Sequence, residues 1–399
     1  MIGSFYCFGA LRLRGRRSLA SLLLLLGTTL ATCNVAASTY RIVLLPPPAG
    51  TDARSLQPVA INNAAEVVGD GYRDGYPHAI AWSTGPDHAP RWLPEGDAVS
   101  SKAFGINDDG YIVGQWVNSN ASGPAVMWSP NDVPVLLHES TNPYFGSYAF
   151  AINDSRTILG YVSTRTRTAP AFWLRPATGP RGIPDGQFIG LWPEALNNQG
   201  TIVGYGLLHA DDGQFLYRAF RSTPRAGQQL LAELPYAGPD VNYYARDVNE
   251  AGEVVGEANS VSTPLAHVVK WNADGSVLDL GDLPGGSEYF YYACCMNNAG
   301  VVAGSFMDMQ DFLDFQAFVW TPAEGMHSIV DLIDPFDPLY PEIASGTPID
   351  IKGINDAGVM VGILDPINSS RPILLVPKWV RLPLPPSDPV HRPPDAARK

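Results

Sequence analysis

Cysteine, histidine and basic residues are scarce in this chain of 399 residues, and each shortage excludes a class of protein. Four cysteines are too few for a disulfide-dense scaffold, and no Cys/His spacing typical of zinc occurs, so we predict no metal and no cofactor. The chain has 26 Lys and Arg against 39 Asp and Glu, a formal net charge of −13. This acidity argues against nucleic acid and anionic membranes as partners.

Long apolar runs are also rare, and the clearest one lies near the N-terminus. Arginines within residues 12–17 precede the leucine-rich stretch Leu19–Leu30, and residues 35–37 are small. This order predicts a signal peptide over residues 1–37 and no membrane span, because the apolar stretch is short. The protein is then secreted, periplasmic or on the cell surface. An alternative is lipid attachment at Cys33, which the preceding Thr disfavours.

The rest of the chain is organised by a ten-residue pattern that occurs seven times, for example GINDAGVMVG at residues 353–362. An aliphatic residue or Met precedes an Asn, and a short apolar run ends on a Gly seven residues after that Asn. The Asn residues are Asn62, Asn107, Asn153, Asn197, Asn249, Asn297 and Asn355. The closing glycines are Gly69, Gly114, Gly160, Gly204, Gly256, Gly304 and Gly362.

Each copy of the pattern has the chemistry of a β-hairpin. Asn favours the first position of a type I turn, and a Gly three residues later accepts the left-handed backbone of a bulged hairpin. Ala65 and Arg156 take that Gly position in two copies, where we expect a backbone strain of about 1 kcal/mol. The closing Gly allows another backbone to approach closely. We therefore assign the seven Asn residues a structural role in turns.

Two further apolar runs follow the hairpins, which predicts four short strands in a repeat; the seventh repeat lacks a clear fourth run, and the strand at residues 40–45 stands before the first repeat. Four strands in 40 to 50 residues is the period of a propeller blade, and the recurring tryptophans predict packing between blades. We therefore predict an all-β, seven-bladed propeller over residues 38–378, monomeric, with a Pro-rich disordered tail at 379–399. Residues 40–45 should pair with residues 371–376 and close the ring. The tryptophans are Trp82, Trp128, Trp173, Trp271 and Trp320.

Two cysteines remain after signal cleavage, Cys294 and Cys295, adjacent in a predicted strand. Alternation along a strand would point them to opposite faces, which favours two small buried side chains over a vicinal disulfide or a metal site. His209 with Asp211 and Asp212 is a weaker metal candidate.

Residues 279–287 (DLGDLPGGS) are followed by residues 296–304 (MNNAGVVAG). In these two segments the chain resembles the HAF-repeat family of bacterial extracellular proteins, and the resemblance covers residues 40 to 377. The His-Ala-Phe element that names the family survives in part at His78-Ala79-Ile80, Arg218-Ala219-Phe220 and Gln316-Ala317-Phe318. The resemblance implies an extracytoplasmic bacterial setting and supplies no catalytic residues.

The connections between hairpins vary in length and are rich in aromatic and acidic residues. Variable loops on a rigid scaffold commonly bind ligands, and aromatic rings offer flat apolar area at low entropic cost. We therefore predict a binding or scaffold module with a glycan, peptide or protein ligand on this face, without a catalytic site. The alternative is a hydrolase or lyase acting on a glycan, which clustered carboxylates at the channel mouth would favour. The predicted ligand-binding residues are Tyr144, Tyr243, Tyr244, Tyr289, Tyr291, Tyr292, Asp308 and Asp311.

Overall fold

The computed structural model describes residues 40–382, apart from 50, 52, 86, 120–121, 138–145, 177, 210–212, 261–265, 284–288 and 309–314. The predicted signal peptide and most of the predicted tail lie outside the described residues. The first residues of that tail are described, and Val380 and Leu382 pack against the core between the last and first blades. None of the described helices has the length and apolarity needed to cross a membrane.

The strands form seven antiparallel sheets of four strands each, as the repeats predict. Blade one consists of β2 (Gln57–Ile61), β3 (Val67–Arg73), β4 (Tyr76–Trp82) and β5 (Pro90–Trp92). Blade two consists of β6 (Ser100–Ile106), β7 (Ile112–Val117), β8 (Ala125–Trp128) and β9 (Pro134–Leu136). Blade three consists of β10 (Ser147–Ile152), β11 (Ile158–Ser163), β12 (Thr168–Trp173) and β13 (Arg181–Gly182). Blade four consists of β14 (Gly190–Leu196), β15 (Ile202–His209), β16 (Phe215–Thr223) and β17 (Gly227–Leu230). Blade five consists of β18 (Val241–Val248), β19 (Val254–Ser260), β20 (Ala266–Trp271) and β21 (Val277–Asp279). Blade six consists of β22 (Tyr289–Met296), β23 (Val302–Asp308), β24 (Phe315–Thr321) and β25 (Gly325–Ser328).

Blade seven joins the two ends of the chain. Its strands are β26 (Ile349–Ile354), β27 (Met360–Leu364), β28 (Arg371–Pro377) and, as the fourth, β1 (Tyr40–Leu44). The register runs from Tyr40 opposite Pro377 to Leu44 opposite Ile373, so the predicted closure is confirmed. Because β1 pairs with the outer edge of β28, blade seven contains strands from both ends of the chain and that edge is covered.

The hairpin of each blade has the predicted backbone. The third residue after every Asn has positive φ, including Ala65 and Arg156, both at 61°. The closing glycines lie against the backbone of the first strand, where a Cβ on Gly256 would sit 1.8 Å from the Tyr244 carbonyl oxygen. A β-bulge in every first strand, such as the one between Ala245 and Asp247 in β18, lies beside this close approach. Only glycine fits there.

The core lies between blades. Buried clusters join the third strand of one blade to the preceding blade, as where Trp128 packs with Val68, Ala79 and Leu93. Four of the five recurrent tryptophans also donate their indole N–H to a carbonyl of the preceding blade. Their predicted role in inter-blade packing is therefore confirmed.

Two features differ from the sequence-based expectations. Short helices α1 (Ile329–Leu332) and α2 (Tyr340–Ala344) occupy the longest connection, between blades six and seven. Cys294 and Cys295 form a vicinal disulfide, so the prediction of two separate buried thiols is wrong. The reason is the bulge between Ala293 and Cys295, because the extra residue breaks the alternation that would keep adjacent side chains apart.

Candidate functional site

Hydrogen bonds between the seven Asn residues form a closed ring around the propeller axis. Each Asn side chain donates Nδ2–H to the backbone carbonyl of the Asn in the next blade, as from Asn62 to Asn107 at 3.1 Å. The last bond runs from Asn355 to the Asn62 carbonyl at 3.2 Å. The other distances lie between 2.9 and 3.5 Å. We call these seven residues the Asn ring; since they end the first strands, those strands lie nearest the axis.

The same side chains also hold their own turns. In blade seven, Asn355 Oδ1 accepts hydrogen bonds from the backbone N–H of Ala357 and Val359 at 3.1 and 2.9 Å. All seven Asn side chains are buried, with 3 to 5% of their surface exposed. The predicted turn role is thus accompanied by a second one, the joining of neighbouring blades.

The residues after the Asn ring form an exposed second ring. Each backbone N–H in it donates to the side-chain oxygen of the equivalent residue in the next blade, closing from Asp356 to Asn63 at 2.8 Å. The two rings and the aliphatic residues before them enclose about 190 Å³ on the axis. Their polar groups bond to one another around this mouth of the channel. The second ring comprises Asn63, Asp108, Asp154, Asn198, Glu250, Asn298 and Asp356.

The channel wall beyond the Asn ring is set by two positions of each first strand. The residues three and five positions before each Asn are partly or fully exposed, whereas the residue between them is buried in every blade. The fifth position is roughly 16 Å from the Asn along the strand, toward the opposite mouth. The residues three positions before each Asn are Val59, Phe104, Phe150, Glu194, Arg246, Cys294 and Lys352. Those five positions before it are Gln57, Lys102, Tyr148, Trp192, Tyr244, Tyr292 and Asp350.

Aromatic rings concentrate on one side of this wall, in blades three to five. Tyr148 stacks on Tyr161 at a centroid distance of 5.2 Å, and Trp192 stacks on Tyr205 at 5.6 Å. Tyr244 meets Tyr205 edge-on at 4.9 Å and also contacts Tyr217 at 5.4 Å. All six are half-buried, so part of each ring remains accessible. We call this set the aromatic arc: Tyr148, Tyr161, Trp192, Tyr205, Tyr217 and Tyr244.

A charged network lies within the arc. The Arg246 guanidinium lies over the rings of Tyr205 and Tyr244, at 5.4 and 5.3 Å. Its Nε donates to Glu257 at 2.9 Å, and Nη1 lies 3.5 Å from a Glu194 oxygen. The Glu257 side chain is 0% exposed, whereas that of Glu194 is 33% exposed. Of these two carboxylates, only Glu194 can contact a molecule in the channel.

Burial determines the protonation of this network. It raises the pKa of Glu194, with Arg246 opposing the shift, and it raises the pKa of Tyr244 to about 12. The pKa of Tyr205 is raised by burial and by Glu194. The phenols therefore stay neutral at physiological pH and can donate and accept hydrogen bonds, but they are poor bases.

A second recess opens in the channel wall between blades six and seven. It encloses about 380 Å³ and is lined by Tyr292, Cys294, Asp350 and Lys352, among others. Lys352 Nζ lies 2.6 Å from an Asp350 carboxylate oxygen, so the two charges neutralise each other. Tyr292 is 38% exposed, so part of its ring is accessible in this recess.

The predicted ligand-binding tyrosines separate into buried and accessible rings. They were expected in surface loops, but Tyr243, Tyr244, Tyr291 and Tyr292 lie in the first strands β18 and β22, which extend further than the fixed repeat indicates. Tyr243 and Tyr291 are 2% and 0% exposed, because alternation turns them into the blade interface. Their hydroxyl oxygens accept the backbone N–H of Leu234 and Leu283. Tyr244 and Tyr292 point the other way, into the channel.

The remaining predicted residues lie away from the arc or outside the described residues. Tyr289 is half-buried against Phe306, at 5.1 Å between centroids. Asp308 ends β23, and its side chain is not described; Tyr144 and Asp311 lie outside the described residues. Over the described part of the chain, no group of three or more His, Cys, Asp and Glu side chains is placed to hold a metal ion.

Several channel residues were not predicted from the sequence, notably Trp192, Glu194 and Arg246. The signal that could have found them is the Asn itself. Aligning the seven repeats on Asn and taking the residues three and five positions earlier identifies these three, but not the arc residues of second and third strands, Tyr161, Tyr205 and Tyr217.

Comparisons with known proteins agree with the fold. The sequence matches no protein-family model and no curated protein. Among solved structures, puromycin hydrolase is 13% identical with a TM-score of 0.52, over 81% of this chain and 53% of the other. A prolyl endopeptidase is 11% identical with a TM-score of 0.52, over 82% of this chain and 46% of the other. The chain thus spans about half the length of these two proteins.

A shorter protein is also similar, TolB from Agrobacterium tumefaciens. It is 12% identical with a TM-score of 0.43, over 72% of this chain and 94% of the other. The two structures with a TM-score of 0.52 share the fold of this chain, and identities of 11% and 13% indicate no shared activity.

Proposed function

We propose that this protein is an exported binding module that holds a glycan at the aromatic end of its channel. The observation that carries the proposal is the aromatic arc, six half-buried rings on adjacent blades around the Arg246–Glu194 pair. Ring faces stack on the apolar faces of sugars, and the charged pair offers a donor and an acceptor for hydroxyl groups. The rings belong to strands of a rigid scaffold, so the cost of ordering them on binding is small.

The protonation of the network favours binding over catalysis. Glycoside hydrolysis commonly needs two carboxylates that both reach the substrate, and Glu257 is enclosed by Arg246 and the Ala293 N–H. A lyase needs a base, and the raised pKa values of Tyr205 and Tyr244 keep these phenols protonated. Of the two carboxylates in this network, Glu194 combines access with a raised pKa, and it is the candidate acid if the protein hydrolyses its ligand.

Export and membership of the HAF-repeat family belong to the same proposal. The basic and leucine-rich segment at residues 1–37 supports export, and the acidic net charge suits a partner without phosphate groups. At three of the His positions of the repeat, a His or Arg pairs with a carboxylate at the end of the fourth strand or just beyond it. The pairs are His78–Glu95, Arg218–Glu233 and His267–Asp279. This common contact supports the family resemblance on structural grounds.

The proposal is tested by a glycan array with purified protein lacking residues 1–37, followed by calorimetric titration of the ligands found. Tyr244→Ala and Trp192→Ala should each weaken binding at least tenfold, since loss of a stacked ring costs about 1.5 kcal/mol. Phe336→Ser is the matched control: this ring is 92% exposed in the connection between blades six and seven and is not part of the aromatic arc, so its loss should leave affinity unchanged.

Three results would count against the proposal. Binding that survives both channel substitutions would place the glycan elsewhere. If no glycan on the array binds but a peptide binds in the same channel, the ligand is a peptide and not a glycan. Ligand cleavage that is lost in Glu194→Gln would establish the hydrolase alternative.

A further inference from the structure

The tryptophans between blades follow one rule. Each fills the space against the preceding blade, and four donate the indole N–H to a carbonyl just past that blade's fourth strand. The acceptors are Pro46 at 2.8 Å, Pro94 at 2.6 Å, Leu137 at 3.1 Å and Ala232 at 2.6 Å. This space is therefore shaped for a flat bicyclic ring with one N–H donor.

Blade four breaks the rule at Ser222. In blades one and two, Val67 and Ile112 pair with the Trp of the third strand, and in blade four the equivalent Ile202 pairs with Ser222. The strand β16 keeps its register, so the backbone is in place and only the ring is missing. Blade seven also lacks the Trp, but Leu375 fills that position and is 0% exposed.

A cavity of about 480 Å³ lies where the missing ring would pack, between blades three and four. Ser222 and Ile202 form one wall, and Phe172 of blade three forms part of the other. Ile183 and Pro184 line it as well, and they follow β13 at the place where the other blades supply the carbonyl that accepts an indole N–H.

Exposure shows that this space is not filled by neighbouring side chains. The six residues equivalent to Ile202 are all 0% exposed, whereas Ile202 and the facing Phe172 are only half-buried. Leu174, at the rim, is 41% exposed. The equivalent residues are Val67, Ile112, Ile158, Val254, Val302 and Met360.

We propose that this cavity is a binding site for a planar aromatic small molecule of indole size that carries a ring N–H. The ligand takes the place that tryptophan takes at the other blade interfaces: its ring packs between Ile202 and Phe172, and its N–H donates to the carbonyl of Ile183 or Pro184. The cavity opens beside the turns of Asn153 and Asn198, on the face opposite the aromatic end of the channel. The site is therefore independent of the proposed glycan site.

Charge at the cavity narrows the ligand class. Arg181 lines it, no Asp or Glu does so among the described residues, and the adjoining recess at Ser155 is lined by Arg156 and Arg175. In a chain with a net charge of −13, these three arginines make a local basic region. The cavity should therefore prefer an aromatic compound with a carboxylate substituent to one with an amine.

The test uses calorimetric titration and thermal unfolding of the purified full chain with indole, 1-methylindole, indole-3-acetate and tryptamine. Indole should bind saturably and raise the unfolding temperature. The 1-methyl compound should bind about fivefold more weakly, since it cannot supply the N–H that pairs with the carbonyl. Indole-3-acetate should bind more tightly than tryptamine. No saturable binding of indole at millimolar concentration, or equal binding of all four compounds, would overturn the proposal.

Two variants locate the site. Ser222→Trp should fill the cavity, abolish indole binding and raise the unfolding temperature. Trp173→Ser should create an equivalent void between blades two and three, lower the unfolding temperature and gain a second indole site. Indole binding that is unchanged in Ser222→Trp would refute the assignment. If that variant does not fold, the anomalous signal of soaked 5-bromoindole in wild-type crystals decides, because only a peak beside Ser222 supports the site.

Discussion

Removal of one member of the Asn ring tests how far this ring holds the propeller together. Asn355 is 4% exposed and makes three hydrogen bonds, one to the Asn62 carbonyl in blade one and two from its own turn. At about 1 kcal/mol for each bond, Asn355→Ala should lower the free energy of unfolding by about 3 kcal/mol. It also leaves the buried Asn62 carbonyl without this donor, so the value is a lower bound.

Equilibrium unfolding in urea, with Asp356→Ala as the matched control, measures this effect. The Asp356 carboxylate accepts hydrogen bonds from the Asn298 backbone and side chain and from the Asn63 side chain, but it is exposed. Water can replace these bonds, so the control should cost less than about 1 kcal/mol. Equal losses in the two variants, or a loss below 1 kcal/mol for Asn355→Ala, would refute a stabilising role for the buried ring.

Three further predictions concern the repeat itself. Gly256→Ala should destabilise by about 3 kcal/mol or more, because its Cβ would meet the Tyr244 carbonyl, whereas Gly182→Ala, with open space around it, should be neutral in the same unfolding assay. Ala65→Gly should stabilise the protein against thermal unfolding by about 1 kcal/mol, because the backbone φ of Ala65 is 61°. A lower stability of this variant would contradict backbone strain at Ala65.

The third concerns Asp247, whose pKa burial raises to about 6. The folded state then binds this proton more tightly, so its stabilisation is complete below about pH 4 and is lost as the pH rises through 6. Relative to Asp247→Asn, wild type should lose about 2 kcal/mol between pH 4 and pH 7, and a difference independent of pH would contradict the burial effect.

The architecture was predictable because each repeat encodes it locally. A fixed Asn-to-Gly distance specifies a hairpin, seven copies specify the blades, and the missing strand at each end specifies the closure between residues 40–44 and 371–377. The left-handed backbone at Ala65 and Arg156 follows from alignment with glycines. Turns, strands and their order depend on residues that are close in the sequence, so the repeated pattern is enough to predict them.

The candidate site was less predictable because it depends on how blades face one another. A single repeat shows the Asn as a turn former and gives no indication that its amide reaches the next blade. The adjacent tyrosines of β18 and β22 were predicted to be loop residues, but both strands continue through them. Tyr243 is therefore buried between blades, whereas Tyr244 faces the channel. The Ser222 cavity was detectable in principle, as the one third strand with neither Trp nor another large apolar residue at that position.

The most direct test of the binding account is a crystal structure of the protein with the glycan selected on the array. We expect a sugar ring stacked on Trp192, Tyr205 or Tyr244, with a hydroxyl group within hydrogen-bond distance of Arg246 or Glu194. A sugar bound beside the Asn ring or on the outer strands, with the aromatic arc unoccupied, would contradict the proposed binding site.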